Sequence, residues 1–166
     1  MRKIIAILMA MVLLCSGAMA AGVEFVTVDM EGNTVTQEIF KNYDITMVNV
    51  WATWCGYCIE EMPEFPGLKD SLPENANLIT ICDDAAVEPE LTAKILEICK
   101  ANFTTLAATN DMYGGLLSSV YAFPTTFFVD SEGNMVGEPL VGVPSLEDPA
   151  GAYLSILMDR LAMVEG

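Results

Sequence analysis

The chain has 166 residues, 23 acidic against 7 basic, a net charge of −16 and no histidine. Without histidine there are no histidine triads, no histidine-ligated zinc and no imidazole general base. The acidity excludes nucleic acid and anionic lipid as natural partners, and a 53% hydrophobic composition suits one packed domain.

The first residues read as an export leader. Arg2 and Lys3 precede an apolar run from Ile4 to Leu14, then Ser16, Gly17 and the small-residue site Ala18-Met19-Ala20. The run is short for a membrane span, which takes about 20 apolar residues. Cleavage is expected after Ala20, giving a signal peptide over 1–20 and one domain over 21–166. Cys15 offers a second reading, a lipid-bearing cysteine that would tether the protein to a membrane, as would an uncleaved leader. Leu14 speaks against the lipid, because lipoprotein signals resemble one another in having Gly, Ala or Ser there. Removing 1–20 would leave 146 residues (166 − 20) and a net charge of −18 (5 − 23).

Downstream, 24–29 alternates like a strand. The octets "VDMEGNTV" (28–35) and "VDSEGNMV" (129–136) place Asp and Glu-Gly-Asn between apolar ends, the chemistry of two hairpin turns. "ITMVNVWA" (45–52) and "NLITIC" (77–82) read as strands buried on both faces. A helix is expected after Cys55, kinked or ended by Pro63 and Pro66. Residues 88–102 read as an amphipathic helix with Leu91, Ile95 and Ile98 on its apolar face. A short helix is expected over 114–123, strands over 125–130 and 135–142, and a last helix capped by Asp148 with Pro149 at its first position. Strands alternating with helices, closed by a hairpin, imply a mixed central sheet with helices on both faces.

The chemistry concentrates in "WATWCGYC" (51–58). At a strand-to-helix junction Cys55 would meet outward-pointing backbone N–H groups, which stabilise a thiolate. Cys58, one turn on, would be the resolving thiol. Zinc would need a second close pair, whereas Cys82 and Cys99 are far apart in sequence. The surviving readings are a redox pair and a structural staple, and the junction favours redox. Glu61 lies three residues after Cys58 on the same helical face, and Glu60 does not. A partly desolvated Glu61 could accept the resolving thiol's proton. The alternative for Glu61 is an ordinary surface charge. Trp51 reads as core, and Trp54 beside Cys55 could floor a substrate groove. Cys82 and Cys99 are expected as two separate buried thiols, because the helix carries Cys99 roughly 13 Å down the sheet at about 1.5 Å per residue. No cofactor or metal is expected.

"MVNVWATWCGYCIEEMPEF" with "YAFPTTFFVDSEGNMVG" resembles the TlpA/ResA-type thiol–disulfide oxidoreductases of the thioredoxin superfamily. The resemblance implies a thioredoxin-like α/β fold with an N-terminal β-hairpin and a short helical insert. It implies Cys55 as attacking cysteine, Cys58 as resolving cysteine, Glu61 as the family's buried carboxylate, and Pro124 as the cis-proline whose neighbour Phe123 pairs with a client chain. It also implies exported, disulfide-bearing protein clients, a membrane thiol donor and a monomer. The Gly56-Tyr57 dipeptide departs from the family's Gly-Pro or Glu-Pro and resembles that of periplasmic disulfide isomerases, so the poise stays open between reductase, which is favoured, and isomerase. Two rivals remain. A thiol peroxidase shares the fold, but the chain lacks the proline of that Pro-x-x-x-Thr-x-x-Cys pattern. A binding module would use the pair only as a staple.

Overall fold

The computed structural model describes residues 24–166, so the expected leader and Cys15 lie outside the described residues. The chain opens with the antiparallel pair β1 (Val26–Val28) and β2 (Thr34–Thr36) and a 3-10 turn at Gln37–Phe40. Then come β3 (Ile45–Trp51), α1 (Gly56–Glu61), a second 3-10 turn at Met62–Glu64, α2 (Phe65–Ser71), β4 (Ala76–Cys82) and α3 (Pro89–Ile98). The rest is β5 (Thr104–Ala107), α4 (Asn110–Tyr113), β6 (Thr125–Asp130), β7 (Leu140–Val141) and α5 (Pro149–Glu165). The main sheet runs β5-β4-β3-β6-β7, with β3, β4 and β5 parallel and β6 and β7 antiparallel additions. This is the mixed, helix-flanked sheet expected from the sequence.

Every residue of β3 and β4 is buried, as their near-continuous apolar runs require. Strand alternation then divides the core in two. Met47 and Trp51 face a cluster with Phe65, Phe128, Tyr153 and Leu157, beneath α1, α2 and α5. Val48 and Val50 face the opposite cluster of Phe25, Phe40, Ile79, Leu106 and Phe127. Asn49 falls on the Met47 and Trp51 side and pairs in register with Thr126 of β6.

The two turns are built alike. Asp29 accepts backbone N–H bonds from Glu31 and Asn33 at 2.9 and 2.8 Å, and Asp130 accepts the same bonds from Glu132 and Asn134 at the same distances. Gly32 and Gly133 both sit at φ +86°, a region that glycine occupies without a Cβ penalty.

Several expectations are corrected. β5 was not anticipated: "TTLA" is only four residues long, and it is a strand because β4 pairs with it and the N-terminal hairpin covers it. Thr27 Oγ1 donates to Ala107 O at 2.5 Å and Met30 N–H to Thr105 O at 3.2 Å. α3 stops at Ile98 instead of 102, and its buried face is Thr92, Ile95 and Cys99, with Leu91 and Ile98 exposed. Thr92 can turn inward because its hydroxyl donates to Glu88 O at 2.8 Å. The helix expected over 114–123 lies earlier, at α4; the Gly114-Gly115 pair disfavours helix, and the Gly114 N–H closes the turn on Asn110 and Asp111. The strand over 135–142 is reduced to an isolated Met135 bridge and β7, the two separated by Gly137 at φ +74°.

Candidate functional site

β3 ends at Trp51 and the chain turns through Ala52-Thr53-Trp54 before α1 begins. Thr53 secures this turn: its N–H and hydroxyl donate to the Asp84 carboxylate at 2.9 and 2.5 Å. Cys55 is the N-cap of α1 and Cys58 lies one turn in. They form a disulfide with Cα atoms 5.3 Å apart. The Cys58 N–H donates to Cys55 Sγ at 3.3 Å, so the first sulfur receives the hydrogen bond that would favour its thiolate. The closed disulfide sits against the core. Cys55 is 6% exposed and Cys58 is fully buried. The helical stretch tightens to 3-10 form at Met62–Glu64, where Pro63 offers no N–H.

Glu61 is buried, while Glu60 points to solvent. Burial pushes the Glu61 carboxyl up to about 7, against hydrogen bonds from Tyr153 and Asn49 that favour its charged form. Tyr153 Oη donates to Oε2 at 2.9 Å and Asn49 Nδ2 to Oε1 at 3.0 Å. Asn49 Nδ2 also donates to Thr126 Oγ1 at 3.0 Å, and Thr126 Oγ1 to Tyr153 Oη at 3.3 Å. Burial, then the Glu61 charge, pushes the Tyr153 phenol up.

Around the disulfide, Trp51 is buried core, whereas Trp54 is 70% exposed and meets the Phe123 ring edge-on at 5.7 Å. The Phe123–Pro124 peptide is cis, and Pro124 O accepts from Gly142 N–H at 2.8 Å. A small pocket beside α1 is lined by Tyr57, Glu60, Glu61, Val143, Leu146 and Pro149. Cys82 and Cys99 are unbridged and buried, as expected. Cys82 Sγ contacts Asp84 Oδ1 at 3.3 Å, and burial pushes its thiol up to about 12.

Sequence reasoning left Asn49, Thr126 and Tyr153 out of the site. Asn49 carried a signal, the one amide in the apolar run of β3. Thr126 follows from it by strand pairing. Tyr153 lies 92 residues from Glu61 and looked like any aromatic on an apolar helix face.

Comparison with known proteins agrees with this geometry. The chain is 28% identical over 94 residues to the sporulation thiol-disulfide oxidoreductase A of Bacillus subtilis, 54% of this chain and 55% of that protein. It is 30% identical over 103 residues to the thiol:disulfide interchange protein DsbE of Haemophilus influenzae, 62% of this chain and 54% of that protein. It thus spans about half the length of the curated relatives it matches. Among solved structures, a thioredoxin-family thiol:disulfide interchange protein from Chlorobium tepidum TLS superposes with a TM-score of 0.71 at 18% identity, covering 85% of this chain and 95% of that one. The exposed lipoprotein thioredoxin Etrx1 of Streptococcus pneumoniae gives 0.64 at 20% identity, covering 82% and 98%. These likenesses show the thioredoxin-like fold. The family model described as the AhpC/TSA family matches residues 18–137, and the chain belongs to that family.

Proposed function

We propose that the protein is an exported thiol–disulfide oxidoreductase, reducing disulfides in other exported proteins through Cys55 and Cys58. The observation that carries this reading is the Cys55–Cys58 pair at the start of α1 with a buried carboxylate, Glu61, on the same helix face. A structural staple has no use for a buried carboxylate beside it, since such a group costs stability whenever it is charged. The two curated relatives, named as an oxidoreductase and an interchange protein, support the same class of activity.

In the reduced protein the Cys55 thiolate attacks a client disulfide. One client sulfur leaves as a thiolate and takes a proton, and the other stays bound to Cys55. The Cys58 thiol then gives its proton to Glu61, and its thiolate attacks Cys55 Sγ. The Cys55–Cys58 disulfide forms, the second client sulfur leaves, and Glu61 returns its proton to that thiolate or to water. Two protein thiols are oxidised and one client disulfide is reduced. A dithiol donor, by resemblance a membrane thiol protein, restores the starting state. In this reading a client chain lies against Trp54, Phe123 and Pro124, a role supported by the Trp54–Phe123 ring contact and the cis Phe123–Pro124 peptide. The leader over 1–20, the domain from 21, the envelope location and the monomeric state belong to the same proposal. Insulin reduction tests it: Cys55→Ser is expected to abolish turnover, and Cys58→Ala to accumulate mixed disulfides. Unchanged turnover in Cys55→Ser would overturn the mechanism, and equilibration with glutathione buffers would fix the direction.

A further inference from the structure

Glu61 and three side chains from three other elements close a hydrogen-bonded ring, in which two arms leave Asn49 and converge on the carboxylate. One Asn49 Nδ2 hydrogen goes to Glu61 Oε1 and the other to Thr126 Oγ1. Thr126 donates to Tyr153 Oη, and Tyr153 donates to Glu61 Oε2. Both ends therefore terminate on the two oxygens of one carboxylate, and such chains polarise one another. Asn49 takes this orientation at a cost, because its own Oδ1 is buried without a hydrogen-bond partner. The reversed amide would set that oxygen against a carboxylate oxygen.

We propose that Tyr153, on the C-terminal helix, is the positioning residue that holds Glu61 charged and aimed as the proton acceptor for Cys58. This rests on the acceptor reading of Glu61 given above. The tyrosine is suited to both states of its partner. Its hydroxyl donates to the carboxylate and, by rotating, accepts from the acid. Its ring is held independently, edge-on to Phe65 at 5.8 Å, so packing does not depend on the hydroxyl. On its own helix Glu61 follows Cys58, held in the disulfide, and shares a small pocket with Tyr57 and Glu60; among the described residues β3 and β6 present the uncharged Asn49 and Thr126, and the segment leading into α5 presents Val143, Leu146 and Pro149. Among the described residues, Tyr153 is thus the one ionisable side chain that a neighbouring element hydrogen-bonds to the carboxylate.

The test is Tyr153→Phe, which keeps the ring. In the oxidised protein, where neither cysteine titrates, carbon-13 NMR of the Glu61 carboxyl reads its midpoint directly. Loss of a hydrogen bond to the charged form is expected to raise that midpoint by about one pH unit. The pH profile of mixed-disulfide resolution is expected to move upward with it, while a purely structural tyrosine would shift thermal stability and leave both midpoints in place. An unchanged or lowered carboxyl midpoint overturns the proposal. If Tyr153→Phe does not fold, Thr126→Val, which removes the donor orienting the tyrosine hydroxyl, is judged by the same criterion. Glu61→Gln separates the two readings: a resolution profile that it leaves unchanged would sink Glu61 as acceptor, and the carboxyl midpoint would still report on the ring.

Discussion

At Glu61, proton occupancy and fold stability are one quantity. Its carboxyl is raised in the folded chain, so the protonated form fits the site and the charged form is penalised. Such a group contributes most below the unfolded carboxyl value, and the contribution fades as pH climbs through the folded one. The window therefore runs from the ordinary 4.5 to about 7, and a shift of that size corresponds to about 3 kcal/mol. Glu61→Gln mimics the protonated acid, its amide donating to the Tyr153 oxygen while its carbonyl accepts from Asn49. In urea unfolding of the oxidised protein, the variant is expected to match the parent near pH 4 and to exceed it by up to about 3 kcal/mol near pH 8. A parent whose stability does not fall across that window would show that Glu61 is solvated. The same argument explains why a carboxylate that weakens the fold at neutral pH is consistent with a working role.

Among the elements, α3 shows how a local ending overrides a sequence pattern. Its C-terminus closes by two bonds, Lys100 N–H to Glu97 O at 3.1 Å and Ala101 N–H to Leu96 O at 3.0 Å. That geometry puts Lys100 at φ +54°, where glycine is the usual occupant. Lys100→Gly is expected to stabilise the protein by about 1 kcal/mol, raising the thermal midpoint by about 2–4 °C. A loss of stability would mean that the lysine side chain makes a contact worth more than the backbone relief. The sequence has no glycine there to announce the stop, so reading the helix on to 102 was natural. By contrast β3, β4, β6 and α5 were legible, because a run such as "ITMVNVW" or the Asp148-Pro149 start determines its own structure. β5 was not, since four residues become a strand only through their neighbours. The cysteine pair and the shared helical face of Glu61 were legible from spacing, whereas the burial of Glu61 was implied by the family resemblance. The ring that completes the site was not, because it is assembled by register between distant elements.

Over the whole molecule, charge is unevenly placed. The cations among the described residues are Lys41, Lys69, Lys94, Lys100 and Arg160, and none lies in the segments at the end of the sheet where β3 leads into the disulfide (52–57, 83–88, 108–124 and 141–148). Those segments carry Asp83, Asp84, Glu88, Asp111, Glu147 and Asp148. A cationic disulfide should therefore be drawn to the reduced site and an anionic one repelled. Oxidation of the reduced protein by cystamine is expected to outpace that by dithiodiglycolate by about tenfold or more at low ionic strength. The gap should close in about 1 M salt, where the Debye length is about 3 Å. Equal rates at low salt would show that local geometry outweighs this field. The sheet's margins carry a different consequence. One margin, β5, lies under the N-terminal hairpin, and the other ends in the two-residue β7. Proteins that have not yet set their own disulfides carry unpaired strands, and a long bare margin would seed their polymerisation. A sheet finished at both sides offers such chains no template on which to aggregate.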